Sequence, residues 1–383
     1  MDDSSLSQQI KDLEHELSVT KYNKRTEHAI GLLKVKIAKL KEQLQSRKAI
    51  RKQALHASYS VKREGDATAA LIGFPSVGKS TLINKLTNAN SKTASYDFTT
   101  IECIPGLMEY KKAKIQILDL PGIVAGAADG TGKGREAISV LRNADLVIIL
   151  VDSYAVEKQL PVIRRELYGA GIRLNQKKPA VRIDKKPRGG VIISSTLKLT
   201  KITKQQVVEA LKEFRILNAE VIIREDITIE QLIDVITGNR KYASGLIVLN
   251  KIDLVSVDDI KKIREYMDGL SKHYANLKGQ SVNYVMISAD RGINLEFLKE
   301  AIYQKMKLIR VFLKEVGKVP DMENPMVMLE RATVRDICRK IHTDFVEKLR
   351  FARVWGKSAK FPGQKFNLEH QMADGDVIQL HIK

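Results

Sequence analysis

Eight consecutive residues, Gly73-Phe74-Pro75-Ser76-Val77-Gly78-Lys79-Ser80, carry the most specific chemistry in this chain. Two glycines bracketing four residues and followed by Lys-Ser make a phosphate-binding loop. Its backbone N–H groups wrap an anion, and the helix expected to start near Thr81 adds positive potential at its N-terminus. Lys79 is expected to neutralise β- and γ-phosphates, and Ser80 to ligate Mg²⁺. Asp119-Leu120-Pro121-Gly122 ends an apolar strand. There Asp119 is a candidate for the magnesium shell, and the Gly122 N–H for the γ-phosphate.

Asn250-Lys251-Ile252-Asp253 selects the base. A carboxylate at Asp253 accepts from guanine N1–H and its 2-amino group. Adenine has neither donor there, so it would leave a buried carboxylate unpaired, a large penalty. Asn250 orients this loop, Lys251 lays its alkyl stem over the base, and Ser288-Ala289 offers a backbone N–H to guanine O6. Between the first two motifs lies Tyr96-Asp97-Phe98-Thr99-Thr100-Ile101. Phe98 and Thr99 are expected beside the nucleotide. Thr100 is taken as the residue that closes over Mg²⁺ and the γ-phosphate, because Thr-Ile precedes the next strand. The glycine-rich stretch after Gly122 is the second candidate switch. Four motifs in this order predict GTP binding and hydrolysis by in-line attack of water, with Lys79, Thr100 and Gly122 stabilising charge. Ile123 follows the Asp-x-x-Gly and cannot orient that water, which predicts slow intrinsic turnover. Arg135 and Arg142 are read as surface residues of a helix rather than charge stabilisers. An ATPase on the same scaffold is opposed by Asp253. A non-catalytic RNA- or ribosome-binding scaffold is opposed by Lys79, Ser80, Thr100 and Asp119.

These motifs sit at the ends of short apolar runs: Ala67–Ile72, Lys114–Leu118, Leu146–Val151, Leu246–Leu249 and Tyr284–Ile287. Such runs, alternating with helical stretches, predict a mostly parallel sheet with helices on both faces. The rhythm breaks between about Gly171 and Arg240. There a basic leader (Lys177, Lys178, Arg182, Lys185, Lys186, Arg188) precedes helix Lys204–Phe214, strand Glu220–Ile223 and helix Ile229–Ile236, the pattern of a small α+β insertion. The leader is either a surface loop or an RNA contact.

At the N-terminus, Leu6, Ile10, Leu13 and Leu17, then Ile30, Leu33, Ile37, Leu40 and Leu44, recur at helical spacing around a polar break at Tyr22-Asn23-Lys24. They predict a hairpin of two helices, each burying one stripe against the other. The second has a basic outer face (Lys34, Lys36, Lys39, Lys41, Arg47, Lys48, Arg51, Lys52), either solvated or in contact with RNA. Beyond Arg310, strand Met326–Leu329, a helix capped by Thr333, strand Phe351–Trp355, a turn at Asp374-Gly375-Asp376 and strand Val377–Ile382 predict a compact strand-rich unit.

The 383 residues carry 65 Lys and Arg against 45 Asp and Glu, a net charge of +20. Such a balance suggests a polyanionic partner, with RNA or a ribonucleoprotein surface as the candidate. The 44% hydrophobic content suffices for ordinary cores, and no apolar run approaches a membrane span. Two distant cysteines, Cys103 and Cys338, argue against zinc or a disulfide. A cytoplasmic monomer is the expectation.

Taken together, Gly73–Ser80, Phe98-Thr99-Thr100, Asp119-Leu120-Pro121-Gly122-Ile123 and Tyr22–His28 resemble the developmentally regulated GTP-binding proteins, in the Obg-type branch of translation-factor-class GTPases. The resemblance implies a helical hairpin (1–60), a GTPase domain in two parts (61–172 and 241–308), an inserted domain like ribosomal protein S5 domain 2 (173–240), and a C-terminal TGS domain of β-grasp type (309–383). It also implies Mg²⁺ as cofactor, a role in translation, ribosome or RNA partners and a regulatory protein partner. Potassium is a further candidate cofactor in this branch. Where relatives hold it with asparagine this chain has Ser76, a weaker ligand.

Overall fold

A computed structural model describes residues 3–23, 26–53, 65–87, 105–120, 132–275 and 284–382. The chain begins with helices α1 (Asp3–Val19) and α2 (Glu27–Gln53). There follow β1 (Ala67–Gly73), α3 (Lys79–Leu86), β2 (Pro105–Tyr110), β3 (Ala113–Asp119), α4 (Gly132–Asn143), β4 (Leu146–Asp152), α5 (Val156–Gly169) and β5 (Ile172–Leu174). Next are β6 (Val181–Lys185), β7 (Val191–Ser195), α6 (Lys204–Glu213), β8 (Ala219–Ile223) and α7 (Ile229–Thr237). Then come β9 (Lys241–Asn250), α8 (Val257–Ala275), β10 (Tyr284–Met286) and α9 (Leu295–Met306). The last are β11 (Leu308–Leu313), β12 (Met326–Leu329), α10 (Val334–Ile341), α11 (Asp344–Lys348), β13 (Leu349–Trp355), β14 (Gln364–Phe366) and β15 (Val377–Ile382). Two compact units result: residues 1–58 with 177–242, and residues 59–176 with 243–383.

The larger unit contains the predicted parallel sheet, ordered β10-β9-β4-β1-β3-β2, with β5 beside β9. Neighbours among β10, β9, β4, β1 and β3 run parallel. Alternate side chains of one strand enter opposite cores. Ala70, Ile72, Val147, Ile149 and Val151 pack with Leu141, Leu160, Ile163 and Met267. Ala69, Leu71, Ile148 and Leu150 pack with Leu82, Ile83, Leu298 and Ile302. Burial on both faces explains why these strands are continuous apolar runs rather than alternating ones. Because the strands are parallel, their carboxyl ends share one edge. The register sets Leu71 beside Asp119, Gly73 beside Leu150, and Asp152 beside Asn250.

β2 went unseen in the sequence. It pairs antiparallel with β3 through a tight turn in which Lys111 (φ 49) and Lys112 (φ 65) are left-handed. Glu300 of α9 holds that turn. It accepts from the Tyr110 hydroxyl at 2.7 Å and pairs with Lys111 at 2.6 Å. These partners hold its carboxyl down at about 2.

In the same unit, β11–β15 form a five-stranded sheet ordered β12-β11-β15-β13-β14. It wraps α10 around Val311, Ile337, Cys338, Ala352, Val354 and Ile378. Thr333 caps α10 as predicted, its N–H donating to Asp336 at 2.9 Å. Leu308 and Val327 join the core around Leu298 and Ile302, and Lys340 pairs with Asp66 at the base of β1.

In the smaller unit, β6-β8-β7 form a sheet covered by α6 and α7 around Val207, Leu211, Val221, Ile223 and Leu232. Of the basic leader, expected as a surface loop or an RNA contact, Arg182 and Lys185 lie in β6, whereas Lys177, Lys178, Lys186 and Arg188 lie in the connecting segments, and all six are exposed.

The hairpin departs from expectation more sharply. Leu6, Ile10, Ile30, Leu33 and Ile37 are buried, as predicted. Val35, however, is fully buried in the core of the insertion, with Ala38 beside it. The supposed outer face of α2 therefore meets protein. Lys34 pairs with Glu230, Lys39 with Glu213 at 3.1 Å, and His28 with Glu209 at 2.8 Å. Lys41 pairs with Glu14 of α1 at 2.6 Å. The physical reason is that α2 carries apolar residues on two sides, and only one was read as a stripe. Lys36 is exposed. The side chains of Arg47, Lys48, Arg51 and Lys52 lie outside the described residues, as do Lys24, Arg25 and Cys103.

Candidate nucleotide site

The loop from Phe74 to Gly78 leaves β1 and turns into α3 through two left-handed residues, Ser76 (φ 61) and Gly78 (φ 92). Such alternation turns successive N–H groups to one side, the backbone geometry of an anion-binding concavity. α3 starts at Lys79 without a side-chain cap, so its first N–H groups keep free donors for a ligand. Glycine is required at 78 on two counts. Its φ is positive, and a Cβ there would lie 2.5 Å from Asn250 Nδ2. The Lys79 ammonium donates to the carbonyls of Gly73 (3.1 Å) and Phe74 (3.0 Å), which hold it over the loop. Pro75, Ser76, Ser80 and Thr81 are exposed, whereas Val77 is buried beneath the loop.

Asn250 joins two loops that are far apart in sequence. It is 2% exposed. Its amide donates to Val77 O of the phosphate loop at 2.8 Å, and its Oδ1 accepts from Ala289 N at 2.9 Å. Its own carbonyl accepts from Ser153 Oγ at 2.7 Å. One buried side chain thus ties the loop after β1 to the segment after β10. The backbone at Lys251 is left-handed (φ 67), which lifts its side chain toward Asp152, with which it pairs at 2.7 Å.

Asp253 has a side chain only 9% exposed and pairs with Arg291 Nε at 3.3 Å. The hydrogen bond from Ser288, ahead of the charge on Arg291, holds its carboxyl below the usual carboxylate range. It therefore stays ionised and ready to accept from a donor pair. Asp152 and Arg291 were missed in the sequence. Asp152 ends its strand as Asp119 does, a signal that was available; Arg291 gave none.

Asp119, 8% exposed, ends β3. Burial pushes its carboxyl up, and the positive charge of Lys79 opposes that. Its Oδ1 is buried with no hydrogen-bond partner among the described residues. A buried carboxylate oxygen with a spare lone pair at this strand tip, near Lys79, fits a Mg²⁺ shell. The predicted residues from Gly73 to Thr81, Asp119, Asn250, Lys251, Asp253, Ser288 and Ala289 are gathered at the carboxyl edge of one sheet. Phe98, Thr99, Thr100, Gly122, Ile123 and the side chain of Arg135 lie outside the described residues. Arg142 donates to Ala170 O at 2.9 Å, a structural contact consistent with its reading as an ordinary helix residue. Among the described residues no helix is long and apolar enough to cross a membrane.

Comparisons with known proteins agree with this geometry. Residues 68–186 match the 50S ribosome-binding GTPase family, 188–308 the C-terminal region of that domain, and 309–382 the TGS domain. A GTP-binding protein of Methanocaldococcus jannaschii is 49% identical over 378 residues, 99% of this chain and 93% of that protein. Human developmentally-regulated GTP-binding protein 2 is 40% identical over 375 residues, covering 97% of this chain and 98% of the human one. The Dictyostelium discoideum homologue of developmentally-regulated GTP-binding protein 1 is 41% identical over 383 residues, 98% and 99% of the two chains.

Proposed function

Starting from the fact that this chain belongs to the developmentally regulated GTP-binding protein family, we propose that it hydrolyses GTP to GDP and phosphate as a cytoplasmic switch in translation, in contact with RNA or the ribosome. The observation that carries the reading is the bridge made by Asn250 between Val77 O and Ala289 N. It supports a single ligand gripped by the loop after β1 and read at its base by Asp253.

In this reading the loop N–H groups and the N-terminus of α3 bind the β-phosphate. Lys79 leaves its carbonyl partners to neutralise the β- and γ-phosphates. Asp253 orients guanine, with Arg291 and Ser288 keeping it ionised, and the Ala289 region addresses O6. Asp119 and Ser80 would hold Mg²⁺, joined by Thr100. Bound there, the ion supplies Lewis-acid neutralisation of the phosphate oxygens. Phosphoryl transfer of this kind requires positioning and charge stabilisation more than covalent chemistry, so the rigid edge of the sheet is itself the catalyst's main contribution. Without a glutamine at position 123, turnover is slow until a partner supplies the water-positioning group. Ser76 is the residue through which potassium would act.

The test is GTP turnover by the full chain, alone and with purified ribosomes, with Lys79→Ala and Asp253→Asn alongside. The expected results are slow basal hydrolysis, stimulation by ribosomes, and loss of tight GTP binding in Lys79→Ala. Asp253→Asn should shift preference toward xanthine nucleotides, because the new amide donates where the carboxylate accepted. Unchanged nucleotide titrations for both variants would remove the site assignment. No phosphate release, even with ribosomes present, would remove the hydrolase.

A further inference from the structure

The strongest unassigned feature is the hairpin formed by β13 and β14. From Lys348 to Phe366 the sequence holds six Lys and Arg, interleaved with Phe351, Trp355, Phe361 and Phe366, and no acidic residue. Strand geometry sorts these side chains. Ala352 and Val354 face the buried core under α10. Phe351, Arg353 and Trp355 therefore share the opposite face. The register adds Lys365 beside Arg353 on β14, and His381 and Gln379 beside Phe351 and Arg353 on β15.

On that face the Phe351 and His381 rings stack with centroids 4.4 Å apart. Lys365 lies 4.7 Å from the centre of the Phe351 ring, and Lys314 lies 5.6 Å from that of Trp355. At the hairpin tip Phe361 is 60% exposed, flanked by exposed Lys357 and Lys360. Arg353 Nε is buried with no hydrogen-bond partner among the described residues.

Stacked rings among cations, on a hairpin with no acidic residue of its own, suit one class of ligand. Unpaired bases stack on aromatic faces, while Lys and Arg take the phosphates running beside them. A duplex hides its base faces and could use only the charge. We infer that the outer face and tip of the β13–β14 hairpin bind single-stranded RNA, with Phe361, Trp355 and the Phe351–His381 pair as the stacking platform and Arg353, Lys360 and Lys365 as phosphate contacts. The inference rests on the RNA contact proposed above and locates it; it does not depend on GTP hydrolysis.

The test titrates the full chain with a fluorescein-labelled single-stranded oligo(U) of about 12 nucleotides, within the span such sites cover, and with an RNA duplex of the same length, across a salt series. The single strand is expected to bind more tightly than the duplex. Phe361→Ala removes an exposed ring, leaves the core untouched, and should weaken oligo(U) binding about tenfold. Arg353→Gln with Lys365→Gln should flatten the dependence of log affinity on log salt by about 1.4, since each of the two phosphate contacts on a single strand contributes about 0.7.

Binding of a fluorescent GDP analogue, measured in parallel, should be unchanged in these variants. GDP binding that persists in a chain without affinity for oligo(U) would overturn this surface and leave the GTPase reading standing. Equal binding of single strand and duplex, insensitive to Phe361→Ala, would also overturn it. So would competition by poly-glutamate as effective as that by unlabelled oligo(U), which would point instead to an acidic protein.

Discussion

Replacing Asn250 with alanine tests the reasoning most directly, because this side chain touches two loops and need not touch the nucleotide at all. Its truncation strands two buried backbone groups, the Val77 carbonyl and the Ala289 N–H. An orphaned buried donor or acceptor costs about 1–3 kcal/mol, so the pair costs about 2–6 kcal/mol. Water entering the space left by the amide pulls the figure toward the low end. At about 1.4 kcal/mol per tenfold, even 2 kcal/mol is about 30-fold in affinity. That cost falls on the loop arrangement that binds nucleotide, so it should appear as weaker binding of a fluorescent GDP analogue. Circular dichroism and thermal unfolding of the same sample would verify that the sheet persists. Asn250→Asp sharpens the result. It keeps an acceptor for Ala289 N–H but sets a carboxylate oxygen against the Val77 carbonyl, so it should bind no better than the alanine variant. A well-folded Asn250→Ala that binds the GDP analogue within threefold of wild type would refute the bridging role.

Three further outcomes are expected. Asp119 has its carboxyl pushed up by burial, so the folded state holds its proton more tightly than the unfolded chain and ionisation there costs stability at neutral pH. Asp119→Asn should therefore raise the melting temperature at pH 7 while removing Mg²⁺-dependent nucleotide affinity, and the gain should shrink as the pH falls; scanning calorimetry across pH checks the sign. Glu300 behaves oppositely. Its carboxyl is held at about 2, so its contribution is present above the ordinary carboxylate range and is lost as the pH falls toward about 2. Glu300→Gln should lower the urea midpoint at pH 7, with the difference from wild type closing over that acid window. Val35→Ala, in the core that α2 shares with the insertion, should cost about 1–3 kcal/mol; an unchanged denaturant profile would mean the helix does not support that core.

Much of the site was legible in the sequence because its chemistry needs particular residue types at fixed local spacings. Gly78 must be glycine for its backbone angle and for the close approach of Asn250. Asp119 and Asp253 stand where the proposed chemistry calls for carboxylates, and each motif follows an apolar run that can only be a buried strand. The parallel sheet followed from the same runs, since strands buried on both faces cannot alternate. β2 was hidden for the opposite reason. Pro105-Gly106-Leu107-Met108-Glu109-Tyr110 is short and opens with poor strand formers, and it becomes a strand by pairing with β3 along its whole length.

What only the tertiary structure decided were the partners of side chains whose local sequence looked ordinary. Lys34 and Lys39 belong to a basic helix face in any sequence reading. They became partly buried ion pairs because Val35 and Ala38 gave α2 a second apolar side and the insertion covered it. Arg291 gained its place beside Asp253, and Asp152 its place beneath Lys251, because parallel strands bring their carboxyl ends to one edge. Local spacing determines which chemistry a segment can perform. Which groups from distant segments meet to perform it depends on strand order and register, and these arise only when the whole core is packed.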